Sequence, residues 1–313
     1  MKIIFMGTPG FAAGALQKLV ESRHEIELVV TKPDCYRGKN KSPYSEVKEV
    51  ALEHNLPVYQ PEKIKDAEAI SKLYEYKPDV IVVIAYGQML SKDILTLPKY
   101  GCVNVHASLL PKYRGAAPIQ WAVLNGDDIT GVTTMRMDEG MDTGDIIMQS
   151  EVKLMPKETT GTLFDRLMYE GADLLLKTLD ELEAGTATFI KQDESKATKT
   201  KMIRKEMGVI DFTRPAKELT WFIRGMTPWP SAYTSYNDKK LKLFDVEYID
   251  SLDDIEAVPG KIAKVTKDSF YVGTGSGFLK VLSLQLEGKR LMDTGEFLRG
   301  NKLEEGDIIN AGI

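Results

Sequence analysis

Short apolar runs of strand length alternate with segments of helical period through the first half of the chain, and this alternation constrains the fold more than any other feature. The runs KIIFMG (2–7), IELVVT (26–31), DVIVVIA (79–85) and GCVNVH (101–106) are rich in Ile and Val. Between them, segments near 10–21, 44–54 and 66–76 carry apolar residues at helical spacing. Strands feeding helices that feed strands are the pattern of parallel βαβ units. A helix in APIQWAVLNG, strands at 131–137 and near 146–154, and a long helix near 160–184 extend the series. The expectation is an α/β fold: a Rossmann-like, mostly parallel sheet domain over residues 1–188. Residues 189–205 (FIKQDESKATKTKMIRK) hold six Lys or Arg against two acids, with little apolar period, and are expected to be a basic linker. Beyond them, a helix near 215–225 precedes short alternating segments separated by Gly-rich turns. A small OB-like β-barrel domain over 206–313 suits that pattern.

Other classes are disfavoured. A chain of 313 residues exceeds what one core usually serves, in keeping with two domains. Its net charge of -5 argues against coating nucleic acid through overall charge, so any such site must be a local patch. The longest strongly apolar run, VIVVIAY (80–86), is far short of the ~20 residues that cross a bilayer. Cys35 and Cys102 are far apart and fit a reducing cytoplasm with no disulfide or metal framework. GTPGFAAG follows the first strand as a dinucleotide loop would, but Pro9 removes a backbone donor and Lys32 stands where an acid is needed. His24, His54 and His106 are scattered, with no zinc-hydrolase spacing.

Two stretches carry chemistry. In VNVHASLLP (103–111) Asn104 and His106 are two residues apart on an extended strand and project to one face. A core histidine satisfied by a neighbouring amide is the ordinary alternative. In MDEGMDTGDI (137–146) Asp138, Glu139, Asp142 and Asp145 lie among glycines, where a solvated acidic turn is the ordinary alternative. Ligands bind at the carboxyl ends of parallel strands, and the end of VNVH and the turn after GVTTMRM are both expected at that edge. Asn, His and Asp converging there suit acyl chemistry with neither metal nor covalent nucleophile.

VNVHASLLPKYRGAAPIQ together with MDEGMDTGDI closely resembles the formyltransferase family that uses 10-formyltetrahydrofolate, whose specific motif is H-x-S-L-L-P. The segments GVIDF, PWPSAYT and EGKRLMDTGEFLRG resemble the members that act on methionyl-tRNA. The resemblance implies that Asn104, His106 and Asp142 are catalytic and that Ser108, Leu109, Leu110 and Pro111 bind the folate. Gly87, Gln88 and Leu90 are expected on the opposite wall of the cleft, and Gly140 in the loop closing over the pterin. TKPDCYRGKNKSPYS resembles the family's basic loop for the tRNA acceptor end, with Arg37 as its central arginine beside Lys39 and Lys41. Lys199 and Lys201 are expected to flank the acceptor arm. The implied protein is a cytoplasmic monomer with 10-formyltetrahydrofolate as formyl-donating co-substrate, no metal, and initiator methionyl-tRNA as acceptor. Alternatives are a formyltransferase acting on an amino sugar nucleotide and a noncatalytic RNA- or folate-binding module.

Overall fold

The computed structural model describes residues 1–35 and 42–309. They divide into two compact units, one of residues 1–118, 129–153 and 164–200, the other of residues 119–128, 154–163 and 201 onward. The chain begins with β1 (Lys2–Gly7), α1 (Gly10–Val20), β2 (Glu25–Val30), α2 (Glu46–Glu53) and β3 (Val58–Tyr59). It continues through α3 (Ala67–Glu75), β4 (Val80–Ile84), α4 (Lys92–Leu95), β5 (Cys102–His106), β6 (Arg114–Gly115) and α5 (Pro118–Leu124). Then come β7 (Ile129–Arg136), β8 (Asp145–Lys153), α6 (Thr160–Ala184) and β9 (Lys199–Thr200).

Seven strands form one sheet in the order β3-β2-β1-β4-β5-β7-β8, the first five parallel. β4 is buried along its whole length, as befits a central strand covered on both faces. Ile4, Met6, Leu28, Val30, Ile81 and Val83 pack against Leu73 and Ile94 on one side. Along α6, Leu163, Leu167, Leu175, Leu179 and Leu182 recur at helical intervals and are buried.

The mostly parallel sheet is present, but the expectation for the turn after 131–137 is overturned. β7 pairs antiparallel with β5, Val103 opposite Arg136 and His106 opposite Thr133. That turn therefore starts from the edge opposite to the end of β5. A parallel pair needs a crossover element packed back on the same sheet. From Ile119 onward α5 belongs to the other unit, so no such crossover joins β5 to β7. Within 189–205 the boundary between the two units falls after Thr200. Ile190 exchanges two backbone hydrogen bonds with Ile146, at 2.8 and 2.9 Å, and β9 pairs with β6, all within the first unit.

The second unit contains α7 (Ala216–Met226), β10 (Ala232–Tyr236), β11 (Lys239–Leu243), β12 (Val246–Ile249), β13 (Ile262–Val265) and β14 (Phe270–Gly273). It ends with β15 (Phe278–Val281), β16 (Ser283–Leu286), β17 (Met292–Asp293) and α8 (Thr294–Gly300). Its strands form two antiparallel sheets, β10-β11-β16-β17 and β12-β15-β14-β13. β11 leads directly into β12 and β15 into β16, and bonds from Phe244 N to Ser283 O (3.1 Å) and Leu282 N to Asp245 O (2.9 Å) stitch the corner. The result is an antiparallel β domain with the bend of an OB-like fold, filled by Leu241, Leu243, Phe270, Phe278, Leu284 and Phe297. Among the described residues no helix is long and apolar enough to cross a membrane.

Candidate active site

Asn104 and His106 alternate with valines along β5 and leave the sheet on one face. They are only 8% and 7% exposed, a burial that ordinarily demands hydrogen-bond partners. His106 Nε2 lies 2.9 Å from the carbonyl oxygen of Tyr113. A carbonyl only accepts, so Nε2 carries a proton and Nδ1 is the nitrogen left for other work. Nδ1 lies 3.7 Å from Asp142 Oδ2. The Asn104 amide forms no hydrogen bond among the described residues.

Asp142 reaches His106 by an unexpected route. The chain leaves β7 at Arg136, beside the start of β5, so the 137–144 loop must run back along the strand to meet His106 at its end. Gly144 makes the close passage feasible, because a Cβ there would stand 1.9 Å from the Arg136 carbonyl oxygen. Asp142 itself has a left-handed backbone, φ 54°. Its Oδ2 accepts from Gly115 N at 2.8 Å, and Gln192 Nε2 donates to the carbonyls of Asp142 (2.9 Å) and Gly144 (2.8 Å). Asp138 Oδ1 accepts from Gly140 N (3.0 Å) and Thr143 Oγ1 (2.6 Å), an Asx turn that shapes the loop's entry.

After β5 the segment 107–113 is anchored by Thr133. Its hydroxyl donates to Ser108 O (2.7 Å) and accepts from Leu110 N (3.1 Å) and Gln149 Nε2 (2.9 Å), filling the capacity of one hydroxyl. Ser108 is fully buried and its Oγ donates to Lys112 O at 2.6 Å, while Leu110 packs on Met135 and Ile146. Leu109 and Pro111 stay partly accessible. Of the opposite-wall residues, Gly87 is exposed beside Lys32. Gln88 is engaged with Ile64 N (3.0 Å) and Glu62 O (3.2 Å), and Leu90 is buried in the core. Lys199 and Lys201 are exposed, the first in the N-terminal unit and the second in the other. Arg37, Lys39 and Lys41 lie outside the described residues.

Sequence reasoning missed Thr133, Arg114 and Gln192. Arg114 is 3% exposed, forks onto Glu194 at 2.9 and 2.7 Å, and donates from Nε to Gln192 Oε1 at 2.9 Å. Its guanidinium holds the Glu194 carboxyl below the usual glutamate range. Cys102, in the same strand as the site, is pushed by burial up to about 12 and stays a neutral thiol. Among the described residues, no cluster of three His, Cys, Asp or Glu could hold a metal ion.

A mostly parallel sheet that carries a buried Asn and His at the end of one strand, with a half-buried Asp brought to them by a loop, in a chain with a separate antiparallel β domain, defines a group-transfer architecture. The chain belongs to the formyl transferase family: the Formyl transferase model matches residues 1–179, and the Formyl transferase, C-terminal domain model matches residues 202–302. The methionyl-tRNA formyltransferase of Agathobacter rectalis is 54% identical over 309 residues, covering 98% of this chain and 99% of the relative. That of Lachnospira eligens is 52% identical over 313 residues, 99% of each chain. Among solved structures, WlaRD, a sugar 3N-formyl transferase in the presence of dTDP and 5-N-formyl-THF, gives a TM-score of 0.68 at 20% identity. The match covers 93% of this chain and 99% of that one, a likeness of fold.

Proposed function

We propose that this chain transfers the formyl group of 10-formyltetrahydrofolate to the α-amine of methionyl-tRNA, giving N-formylmethionyl-tRNA and tetrahydrofolate. The observation that carries the chemistry is an Asn104 amide without a hydrogen bond among the described residues, beside a histidine whose remaining ring nitrogen faces Asp142. The choice of acceptor rests on full-length likeness to methionyl-tRNA formyltransferases.

The amine attacks the formyl carbon, and negative charge grows on the formyl oxygen as a tetrahedral intermediate forms. Asn104 donates from its amide to that oxygen, and His106 donates from Nδ1 when the ring holds both protons. The Tyr113 carbonyl keeps Nε2–H in place, so the ring turns a fixed edge to the reaction. Asp142 offsets the positive charge of the doubly protonated ring. As the carbon–N10 bond breaks, the proton lost by the amine reaches N10 through His106 or water. Leu109 and Pro111 offer surface to the folate, Ser108 and Leu110 hold that segment in shape, and Gly87, Gln88, Leu90 and Gly140 complete the cleft. Arg37, Lys39, Lys41, Lys199 and Lys201 meet tRNA phosphates. The enzyme works in the cytoplasm as a monomer and uses initiator methionyl-tRNA.

Purified protein supplied with the formyl donor and either methionyl-tRNA or a UDP-amino sugar tests the assignment. Formylation of methionyl-tRNA alone is expected. Formylation of the sugar alone would transfer the site to sugar chemistry, and donor binding with no transfer to either acceptor would leave a binding module.

A further inference from the structure

We infer that Gln192 is a positioning residue for Asp142, held in turn by the buried guanidinium of Arg114; the inference rests on the catalytic reading above. A non-glycine residue with a left-handed backbone persists where its surroundings over-determine it, and Asp142 is such a residue, directly after the exposed residues 138–141. Gln192 supplies the constraint. Both donors of its amide are used, one on the Asp142 carbonyl and one on that of Gly144, so the turn is gripped on either side of Thr143. Its Oε1 faces Arg114 Nε at 2.9 Å, which fixes the amide's orientation. The flipped amide would set its oxygen against two carbonyls and its NH2 against a guanidinium. Arg114 cannot drift either, since its fork closes on Glu194, two residues beyond Gln192.

β6 (Arg114–Gly115) and the residue before it act on the rest of the trio. Tyr113 presents its carbonyl to His106 Nε2, Arg114 orients Gln192, and Gly115 N binds the Asp142 carboxylate. Three consecutive residues thus set the separation of His106 and Asp142 from both sides. Gln192 touches no reacting atom and acts only through Asp142.

Gln192→Met keeps the volume and removes both donors. The expected result is a kcat lowered roughly 10- to 100-fold, the scale of a small misplacement at a reacting centre, with the KM for methionyl-tRNA near wild type. In an Asp142→Asn background the further loss should vanish, because the group being positioned is already gone. Arg114→Lys, which keeps charge but loses the fork, should show a smaller loss masked in the same way, and it supplies the test if Gln192→Met does not fold. Thermal unfolding of each variant separates lost stability from lost turnover. Unchanged kcat in Gln192→Met, or a loss that multiplies independently with that of Asp142→Asn, overturns the positioning role alone. Wild-type turnover in Asp142→Asn overturns the catalytic reading and the positioning role with it.

Discussion

His106 can offer only one ring nitrogen to a substrate, because the Tyr113 carbonyl occupies the other. That leaves the ring edge facing Asp142 for the proposed chemistry, in which Asn104 is the second donor to the formyl oxygen. Loss of one oxyanion donor commonly lowers turnover by about two to three orders of magnitude, and Asn104→Ala and His106→Ala should each do so with the fold intact by circular dichroism. Near-normal turnover in a folded variant would remove that residue from the chemistry. The placement of Asn104 and His106 on one strand was legible in the sequence because a two-residue period is local and strand-specific. Arg114 and Gln192 were not, since they are 78 residues apart and no periodicity links an arginine after one strand to a glutamine after a long helix. Ser108 was legible as part of a motif, whereas the donation of its hydroxyl to Lys112 O was not.

At the scale of elements, Thr133 joins β7 to the segment after β5. Thr133→Val preserves shape and leaves Leu110 N, Ser108 O and Gln149 Nε2 without their shared hydroxyl. A buried group left unpaired costs about 1–3 kcal/mol, and a drop of that size in urea or thermal unfolding is expected, with a raised KM for the folate. Stability and KM both at wild-type values would show that the anchor is dispensable. The strand itself was readable from GVTTMRM, yet its direction was not. Strand direction is decided by where the intervening helix packs, and α5 after Pro118 packs outside the first unit. The 137–144 loop was expected at one edge of the sheet and instead runs back from the other, a path that depends on the close approach of Gly144 to the Arg136 carbonyl.

At the scale of the whole molecule, pH and salt report on different surfaces. Burial first, then the N-terminal ammonium and Arg23, hold the His24 pKa below its ordinary 6.5, with Glu183 and Asp180 opposing. A histidine lowered on folding binds more protons when unfolded, so its contribution is complete above about 6.5 and is lost as pH falls below that value. Melting temperature should therefore drop as pH falls below about 6.5, and His24→Gln should show a shallower drop; parallel profiles would assign the drop to other groups. Salt addresses the proposed tRNA contacts. Neutralising Arg37, Lys39 and Lys41 should remove about one unit of log–log salt slope per lost phosphate contact and leave the folate KM unchanged, whereas equal losses for both substrates would place that loop over the cleft. Formyl transfer at this site is tested by following labelled formyl from 10-formyltetrahydrofolate to initiator tRNA, charged with methionine or uncharged, with the wild-type protein and with His106→Ala. Label is expected on the charged tRNA alone, and at least a hundredfold more slowly with His106→Ala, the order expected for a lost oxyanion donor. Label released as formate without an amine acceptor, or transfer that His106→Ala leaves at the wild-type rate, would contradict the proposed chemistry.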